Sequence, residues 1–572
     1  MRNVLFLYYK DIIKNLVNSE FVDLISIDPP KEESFGDFST NIAMILAKRV
    51  DRTPISIAEE IYDHLKSHED FDNLTIKSPG FINWTVPQRV LIDHFSDILN
   101  KDFGKANLGN GKMMNIEYVS ANPTGPLHAG HARGAVSGDV LANLLSFVGY
   151  NVTKEYYVND AGKQVEILAR SLHHRYLELF GKFLETLPNW AYPGSYLIDT
   201  AKKIAEKHGD FFVDKEDSEW LGFFKDFAIS DIMEGIKSDL NALGIHHDVF
   251  TSEQELVNSG AVEKAIDYLR SKNLIYTGVL SVPKGMETED WEEREQLLFK
   301  STEFGDEVDR PLQKSDGSWT YFSTDIAYHM DKINRGAEEM IDFWGADHSG
   351  YIKRVQAAVS AISDGKRKLD VKINQIVRFI DNGREVKMSK RAGTFITVKD
   401  VIDSVGKDVV RFIMMTRRDD TSLDFDFKKV VDQSRDNPVF YVQYAYARTH
   451  SVFKQFAQTF EGKNLPDIKD VNLTLLDSVG DLQMIRSLCD WPRQVIMAAK
   501  NREPHRIAFY LSDLAAKFHS LWNSGKEKSE LRFVLPDDFD KTCAKMYLLK
   551  SVQNVIEIAF GIIGVTPMEE LR

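Results

Sequence analysis

The sequence predicts a chain of three parts whose central part is an α/β domain with a parallel sheet. Strand and helix patterns alternate from about residue 113 to 425, which is typical of strands joined by crossover helices. The first hundred residues mix helix and strand patterns, and after residue 437 nearly every segment has helical periodicity. We therefore expect an α+β domain over residues 1–105, the α/β domain over 106–425 and an all-α bundle over 426–572.

Length and composition support several domains and a globular protein. A chain of 572 residues is too long for one hydrophobic core, and 43% hydrophobic with 27% charged residues is an ordinary globular composition. No apolar run approaches the roughly 18–20 residues of a membrane span, and the N-terminus lacks a signal-peptide layout. We therefore expect a cytoplasmic protein with no membrane partner.

The net charge and the cysteine content limit which binding partners and metal sites are expected. A net charge of −15 argues against indiscriminate nucleic-acid binding, although a local basic surface would still allow recognition of a structured RNA. Cys489 and Cys543 are far apart and lack metal-type spacing. We therefore expect neither a disulfide framework nor a zinc site.

In the first part of the chain, residues 55–65 have the pattern of an amphipathic helix. Thr53 is suited to the N-cap and Pro54 to the first helical position. A strand pattern follows over residues 76–86. These elements predict the α+β character of this domain.

The most informative segment is a strand, a turn and a helix in the central part. An apolar strand over residues 113–119 runs into a proline- and glycine-rich turn, and His128-Ala-Gly-His131 then opens a helix. Free backbone N–H groups and the helix dipole would meet there and attract an anion, with His128 and His131 as further donors and Gly130 admitting a flat base. The alternatives are two exposed histidines at an ordinary helix start, or half of a metal site.

A second segment supplies cations. Lys387, Lys390 and Arg391 alternate with the smaller Met388 and Ser389, as expected for a mobile loop that closes over phosphates. Alone, such a loop would be interpreted as a solvated surface. Together with the histidine turn, it indicates a nucleoside triphosphate held from two sides.

The remaining elements of the central part follow the same alternation. Residues 341–345 are predicted as a strand that ends in a turn, and residues 376–380 as a strand before the hairpin signal Asp381-Asn382-Gly383. The region from about 165 to 275 is charged and helical. We interpret it as an insertion into the sheet domain.

The two signature segments resemble those of class I aminoacyl-tRNA synthetases and, within that class, bacterial-type arginyl-tRNA synthetases. The resemblance extends over essentially the whole chain and rests on five further motifs in the expected order. These are residues 120–128, 157–162, 321–325, 345–348 and 437–444.

The resemblance implies a Rossmann-like catalytic domain that activates L-arginine with ATP and Mg²⁺. Arginyl adenylate would form and be transferred to the 3′-terminal ribose of tRNA(Arg), with release of AMP and diphosphate. It also implies that activation requires bound tRNA, that the N-terminal domain touches the tRNA, that the C-terminal bundle reads the anticodon, and that the protein is a monomer.

The resemblance also assigns site residues. Catalytic roles fall to His128, His131, Lys387 and Lys390. ATP binding falls to His128, Gly130, His131, Asp347, His348, Lys387, Met388, Ser389, Lys390 and Arg391. Arginine binding falls to Glu117, Ser120, Ala121, Asn122, His131, Tyr321 and Asp325, and tRNA binding to Tyr441, Tyr444, Arg448, Phe518 and Trp522.

Physical chemistry supports the arginine-binding and tRNA-binding assignments, and for each it also allows a structural alternative. A guanidinium has only donors, so a selective pocket needs fixed carboxylates such as Glu117 and Asp325. Without the resemblance, Asp325 would be interpreted as a helix N-cap. Tyr441, Tyr444 and Arg448 form one helical stripe suited to stacking on unpaired bases, but core packing would produce the same pattern.

Three rival functions remain. Another synthetase is one, although the cysteine enzyme uses zinc and the glutamate enzyme needs a basic pocket. A catalytically idle RNA-binding paralogue is the second, and two intact signatures argue against it. A small-molecule nucleotidyltransferase is the third, and it leaves the helical C-terminal part unexplained.

Overall fold

The computed structural model describes residues 5–15, 24–182, 190–280, 294–386, 396–434 and 436–571. The chain divides into two compact units. The terminal unit comprises residues 1–108 and 432–572, and the central unit comprises residues 109–431. The first and last parts of the sequence therefore belong to one compact unit.

The N-terminal part of the terminal unit combines five helices with an antiparallel sheet in the order β1-β2-β4-β3. Its elements are α1 (Leu5–Lys14), β1 (Ile27–Asp28), β2 (Phe38–Thr40), α2 (Ile42–Ala47), α3 (Pro54–Leu65), β3 (Asp72–Lys77), β4 (Phe81–Thr85), α4 (Gln88–Asp93) and α5 (Phe95–Ile98). The Thr53 side chain accepts a hydrogen bond from the Ser56 N–H, so the predicted cap of α3 is confirmed. The single strand pattern over residues 76–86 is in fact a hairpin made by parts of β3 and β4.

The central unit is built on a five-stranded parallel sheet in the order β12-β11-β5-β6-β7. Its first elements are β5 (Met113–Glu117), α6 (His131–Phe147), β6 (Asn151–Val158), α7 (Lys163–Leu179), α8 (Tyr196–His208), α9 (Asp217–Ala242), β7 (Val249–Ser252), α10 (Glu253–Asn258) and α11 (Ala261–Ser271). The next are β8 (Ile275–Gly278), β9 (Gln296–Phe299), β10 (Arg310–Pro311), α12 (Tyr321–Asn334), β11 (Glu339–Gly345), α13 (Ile352–Ile362) and β12 (Lys368–Asn374). The unit ends with β13 (Val377–Asp381), β14 (Arg384–Glu385), α14 (Val398–Val405), α15 (Lys407–Met414) and β15 (Leu423–Asp426).

The sheet shows one error in the predicted organisation. Strand β7 lies inside the range 165–275 that was interpreted as a helical insertion, yet it pairs with β6 as the edge of the main sheet. Helices α7, α8 and α9 lie in the range before it. The strand was not predicted because β7 has only four half-buried residues and leaves a weak sequence signal.

The other predicted elements of the central unit are confirmed. Strand β11 covers the predicted strand at residues 341–345. β13 and β14 pair as an antiparallel hairpin, and Asn382 and Gly383 between them both have positive φ. Positive φ at both central residues is the reason for the Asn-Gly preference in such turns.

The C-terminal part of the terminal unit is helical, with α16 (Pro438–Thr459), α17 (Val479–Cys489), α18 (Trp491–Asn501), α19 (His505–Glu527) and α20 (Phe539–Ile563). The predicted start of α16 is confirmed, since the Asn437 side chain accepts hydrogen bonds from the Val439 and Phe440 N–H groups. By length and composition α20 could cross a membrane, with a mean hydropathy of 1.3 over its most apolar window. However, 67% of that window is buried in the protein, and Lys550 and Glu557 interrupt the apolar run, as in a core helix of a bundle.

Candidate active site

A cavity of about 970 Å³ lies at the carboxyl ends of β5, β11 and β12 in the central unit. The sheet order reverses between β5 and β11, and such switch points are where open α/β sheets bind ligands. Many of the sequence-predicted ATP and arginine positions line this one cavity. They are Glu117, Ser120, Ala121, Asn122, His128, Gly130, His131, Tyr321, Asp325, Asp347 and His348.

The turn after β5 holds the histidines in a different way from the one expected. Helix α6 begins at His131 with Gly130 as its N-cap, so His128 precedes the helix and does not share a helical face with His131. The two rings stack, with centroids 3.7 Å apart, and the His128 backbone N–H donates to His131 Nδ1 at 3.2 Å. A Cβ on Gly130 would lie 3.0 Å from the His128 ring, so a side chain there would crowd the stacked pair.

The backbone entering this turn is unusual. Val119 and Ser120 have φ of 72° and 37°, a region that side chains rarely adopt and that costs most for a β-branched residue. The Ser120 hydroxyl donates to Glu117 Oε1 at 2.9 Å and accepts from the Tyr157 N–H at 3.0 Å. These two hydrogen bonds hold the strained turn against β5 and β6.

The predicted basic loop lies outside the described residues, so Lys387, Met388, Ser389, Lys390 and Arg391 have no described geometry. The backbone just after the loop is fixed at the histidine turn. The Ala129 N–H donates to the Ile396 carbonyl at 2.8 Å, and the Val398 N–H donates to the Leu127 carbonyl at 2.9 Å. Ile396 and Val398, which follow the basic segment in the chain, therefore lie beside the histidine turn.

Asp325 supplies a carboxylate to the cavity from α12. Thr320 is the N-cap of that helix, with its side chain accepting from the Ser323 N–H at 3.3 Å, so the alternative interpretation of Asp325 as the cap is wrong. The Asp325 carboxylate accepts a hydrogen bond from the Tyr351 hydroxyl at 2.7 Å. Burial raises the pKa of Asp325 to about 6.

Glu117 is less available than the sequence suggested. Its Oε2 lies 2.6 Å from the Lys332 ammonium, and its Oε1 accepts from Ser120. Burial raises the pKa of Glu117, while Lys332 acts in the opposite direction. A lysine therefore already pairs with the Glu117 carboxylate in this cavity, and the role of Glu117 in arginine binding stays a prediction.

Glu253 is a cavity residue that the sequence reasoning missed. It is the first residue of α10, only 5% exposed, and its Oε2 has no hydrogen-bond partner among the described residues. Burial, assisted by the nearby Asp325 and Asp160 carboxylates, raises the pKa of Glu253 to about 7. A carboxylate directly after a parallel strand is a usable signal, but β7 was hidden in the supposed helical insertion.

The remaining predicted positions differ in exposure. Tyr321 is 61% exposed at the start of α12. Asp347 and His348 follow β11 in a short 3₁₀ helix, and both side chains are largely exposed. The Asn122 side chain accepts a hydrogen bond from Asn159 Nδ2 at 3.1 Å, and the Ala121 carbonyl accepts from the Tyr156 hydroxyl at 2.7 Å.

Four of the five predicted tRNA-contacting residues form a partly exposed group in the terminal unit. The Arg448 guanidinium lies 4.0 Å from the Tyr444 ring centroid and 4.7 Å from that of Trp522. The Tyr441 ring packs against His519, with centroids 4.3 Å apart. The prediction for Phe518 is wrong, because this side chain is fully buried and stacks on Phe533, which leaves no ring face for a base.

Three protein-family models match the sequence of this chain. The model of the class I tRNA synthetase (R) catalytic domain matches residues 94–449. The model of the DALR anticodon binding domain matches residues 442–571, and that of the arginyl tRNA synthetase N terminal domain matches residues 8–86. Fold, cavity and catalytic-domain match together define a class I aminoacyl-tRNA synthetase.

Individual relatives identify the family within this class. The chain is 50% identical over 550 residues to the arginine–tRNA ligase of Roseobacter denitrificans, covering 96% of this chain and 94% of that protein. It is 49% identical over 553 residues to the arginine–tRNA ligase of Parvibaculum lavamentivorans, with the same coverage. The chain belongs to the arginyl-tRNA synthetase family.

Solved structures share the fold. The Thermus thermophilus arginyl-tRNA synthetase superposes with a TM-score of 0.73 at 19% identity, covering 98% of this chain and 100% of that one. The arginyl-tRNA synthetase of Plasmodium falciparum gives a TM-score of 0.72 at 16% identity, covering 99% of each chain. The architecture is therefore retained where most of the sequence differs.

Proposed function

We propose that the chain is an arginine–tRNA ligase. It activates L-arginine with ATP to arginyl adenylate and transfers the arginyl group to the 3′-terminal ribose of tRNA(Arg), releasing AMP and diphosphate. One observation carries the proposal. A single cavity is lined both by the stacked histidines at a helix start and by two carboxylates, the half-buried Asp325 and the buried Glu253.

The first step needs positioning and charge stabilisation. An oxygen of the arginine carboxylate attacks the α-phosphorus in line, a new P–O bond forms, and the bond to pyrophosphate breaks. The positive end of the α6 dipole, together with the His128 and His131 side chains, stabilises the phosphate charge. Lys387 and Lys390 approach from the basic segment that precedes Ile396 and Val398, and they stabilise the leaving pyrophosphate.

The second step transfers the amino acid. The terminal ribose hydroxyl of the tRNA attacks the carbonyl carbon of the adenylate, the ester bond forms, and AMP leaves. No covalent enzyme intermediate is needed. Catalysis therefore depends on holding the reactants in line.

Magnesium fits this site as a companion of the nucleotide. Among the residues that the structure describes, no three His, Cys, Asp or Glu side chains form a group that could hold a metal. The triphosphate and water would therefore supply most of the ligands of Mg²⁺, which neutralises phosphate charge when bound. The proposal includes no zinc.

Amino-acid selection follows from these two carboxylates. The guanidinium is planar and donates five hydrogens, whereas the lysine ammonium is a compact point charge and citrulline is uncharged. Asp325 and Glu253 provide acceptors in the cavity, and an amino acid that leaves them half-paired should be rejected by about 10⁴. Tyr321, Ser120, Ala121, Asn122 and His131 are proposed to contact the rest of the substrate.

We further propose that Tyr441, Tyr444, Arg448 and Trp522 contact unpaired bases of the tRNA, since guanidinium and aromatic faces stack on bases. The proposed protein is a cytoplasmic monomer whose terminal unit provides the anticodon-binding surface. ATP and arginine bind in the central unit.

A charging assay tests the proposal. The purified chain is incubated with ATP, Mg²⁺, total tRNA and one radiolabelled amino acid, and acid-precipitable radioactivity is collected on filters. Arginine should label the RNA, while cysteine, glutamate and lysine should not. Labelling by one of the other amino acids, or by none, would refute it.

A further inference from the structure

A buried ion network lies behind the cavity, and no role in the proposed reaction has been given to its central residue, Lys332. This side chain is completely buried on α12. Its ammonium lies 2.6 Å from Glu117 Oε2 and 3.0 Å from Asp342 Oδ1. Lys332 therefore joins a helix to two strands of the central sheet.

Strand register explains why a cation is needed there. Asp342 on β11 is paired directly with Glu117 on β5, so two carboxylates lie side by side in the interior. Like charges in opposed positions repel, and leaving either unpaired in a dry site is costly. Burial disfavours the charged ammonium, but Asp342 and Glu117 outweigh that effect and raise the pKa of Lys332 above its ordinary value.

His329 fixes the far side of Asp342. Its Nε2 lies 3.0 Å from Asp342 Oδ2, and its Nδ1 lies 2.8 Å from the Asp325 carbonyl oxygen. Burial alone would raise the pKa of Asp342, but Lys332 and His329 hold it below its ordinary value. Asp342 is therefore an ionised anchor for both Lys332 and His329.

The network ends at the substrate turn. Lys332 holds Glu117, Glu117 accepts from the Ser120 hydroxyl, and Ser120 accepts from the Tyr157 N–H. These contacts hold Val119 and Ser120 in their positive-φ conformation. The turn leads directly to Asn122, a proposed arginine-binding residue.

We propose that Lys332, anchored by Asp342 and His329, is a positioning residue for arginine recognition. It fixes the Glu117 carboxylate and, through Glu117, the turn that presents Ser120 and Asn122 to the amino acid. Its single charge also offsets part of the charge of the two carboxylates Glu117 and Asp342, and Asp325 and Glu253 add the further negative charge offered to the guanidinium. This inference rests on the proposed function and adds to it a residue that does not touch the substrate.

The test is Asp342→Asn in the full-length chain. In this variant Glu117 is the one carboxylate left to attract the Lys332 ammonium. The Glu117 carboxylate should therefore turn away from Ser120. The cavity also loses negative potential. The KM for arginine should rise about fivefold to twentyfold, corresponding to the loss of about one hydrogen bond of ordinary strength. The KM for ATP should stay within about twofold and kcat within about threefold, because the network reaches the turn at Ser120, eight residues before His128.

Glu339→Gln is the matched control. Glu339 is on the same strand, it pairs loosely with Lys112 at 3.6 Å, and it does not line the cavity. This variant should leave the KM for arginine unchanged. An unchanged KM for arginine in a folded Asp342→Asn variant, or a loss of kcat without a change in that KM, would overturn the inference.

His329→Gln keeps the measurement decisive if Asp342→Asn does not fold. The amide can still donate to Asp342 but loses the second contact to α12, so the KM for arginine should rise by about twofold to fivefold with the KM for ATP unchanged. No rise in this variant would also overturn the inference. Wild-type charging of tRNA with arginine is scored separately, so failure here is distinct from failure of the proposed function.

Discussion

Two carboxylates, Asp325 and Glu253, give the cavity its preference for a cationic side chain. Asp325 is half-buried and Glu253 is buried, and both have pKa values well above those of exposed carboxyl groups. Burial, which disfavours the charged form, is the main cause of both shifts. Ionised Asp325 and Glu253 are unfavourable in the free protein because burial disfavours charge. A bound guanidinium would pair with the ionised carboxylates and remove this penalty, which contributes to the free energy of binding.

Asp325→Asn should weaken arginine binding strongly. The change keeps the shape but removes a charge and replaces one acceptor by a donor, so the KM for arginine should rise by about 100-fold or more. Steady-state charging at varied arginine concentration measures this. Asp331→Asn, on the exposed side of the same helix and ion-paired to Arg335, should change this KM by less than about twofold. Equal effects of the two changes would contradict the assignment.

The pH dependence of arginine use should follow the two carboxylates. The pKa of Glu253 is about 7 and that of Asp325 about 6, whereas the substrate guanidinium stays charged throughout this range. Below these values the carboxyls are neutral in the free protein, so kcat/KM for arginine should fall as the pH is lowered from about 8 to about 5.5. In Glu253→Gln the step near pH 7 should disappear. A flat profile for the wild type would show that neither group governs binding.

Residue patterns in the sequence identified the histidines and Asp325 as site residues, but they did not identify the buried residues that support the site. His128 and His131 were found because their spacing and turn are local. Lys332 was missed because its role depends on Asp342 and Glu117 being aligned across two strands, which no local pattern reveals. Phe518 was assigned wrongly because helical spacing alone does not distinguish a base-stacking face from a packed one.

The segment from β5 through α6 is the element on which the site depends. An apolar strand, a proline- and glycine-rich turn and a helix start are each recognisable locally, so this unit was predicted almost completely. Ile396 and Val398, just after the basic segment, are hydrogen-bonded to the same turn, at Ala129 and Leu127. The residue types in the sequence indicated that both motifs bind one triphosphate. The backbone contact between them could be seen only in the fold. β7 was lost for the opposite reason, since four half-buried residues give little periodicity.

Lys390→Ala tests the loop. Loss of one donor to a developing phosphate charge costs about 10²–10³ in rate, so ATP–pyrophosphate exchange with arginine and tRNA present should fall by that factor. Arginine binding should remain nearly intact. Lys399→Ala is the matched control, because Lys399 is exposed on α14 and pairs with Asp403. Unchanged exchange in Lys390→Ala would remove the loop from the mechanism.

Asn437→Ala tests the start of α16, the helix that carries Tyr441, Tyr444 and Arg448. The buried Asn437 side chain accepts from two N–H groups of the first turn and donates to the Asp432 carbonyl at 2.8 Å. Its loss should destabilise the protein by about 1–2 kcal/mol. Urea unfolding followed by circular dichroism measures the effect, and Asn472→Ala, at an exposed 3₁₀ turn, serves for comparison. Equal stability of Asn437→Ala and wild type would contradict the capping role.

The chain combines two compact units with different proposed tasks. The proposed chemistry lies in the central unit, and the proposed base-stacking group lies in the terminal unit, which joins the first and last parts of the sequence. Hydrophobic periodicity predicted the character of each part. It could not predict that the first and last parts form one unit, because that pairing depends on contacts between residues hundreds of positions apart, such as Arg486 to Asp37 at 2.9 Å.

Adenylate formation should depend on tRNA. The sequence resemblance implies that activation requires the bound nucleic acid. ATP–pyrophosphate exchange with arginine should therefore be close to background without tRNA and should rise strongly when tRNA(Arg) is added. Periodate-oxidised tRNA, which cannot accept the amino acid, separates activation from transfer. Full exchange without tRNA would contradict this prediction while leaving the ligase reaction itself in place.

The most direct measurement is a crystal structure of the protein with arginine and a non-hydrolysable ATP analogue. The guanidinium should lie within hydrogen-bond distance of Asp325 and Glu253, with the triphosphate at His128, His131 and the start of α6. Lys332 should remain bound to Glu117 and Asp342. A nucleotide bound away from the histidine turn, or a guanidinium that contacts neither carboxylate, would contradict the proposed site.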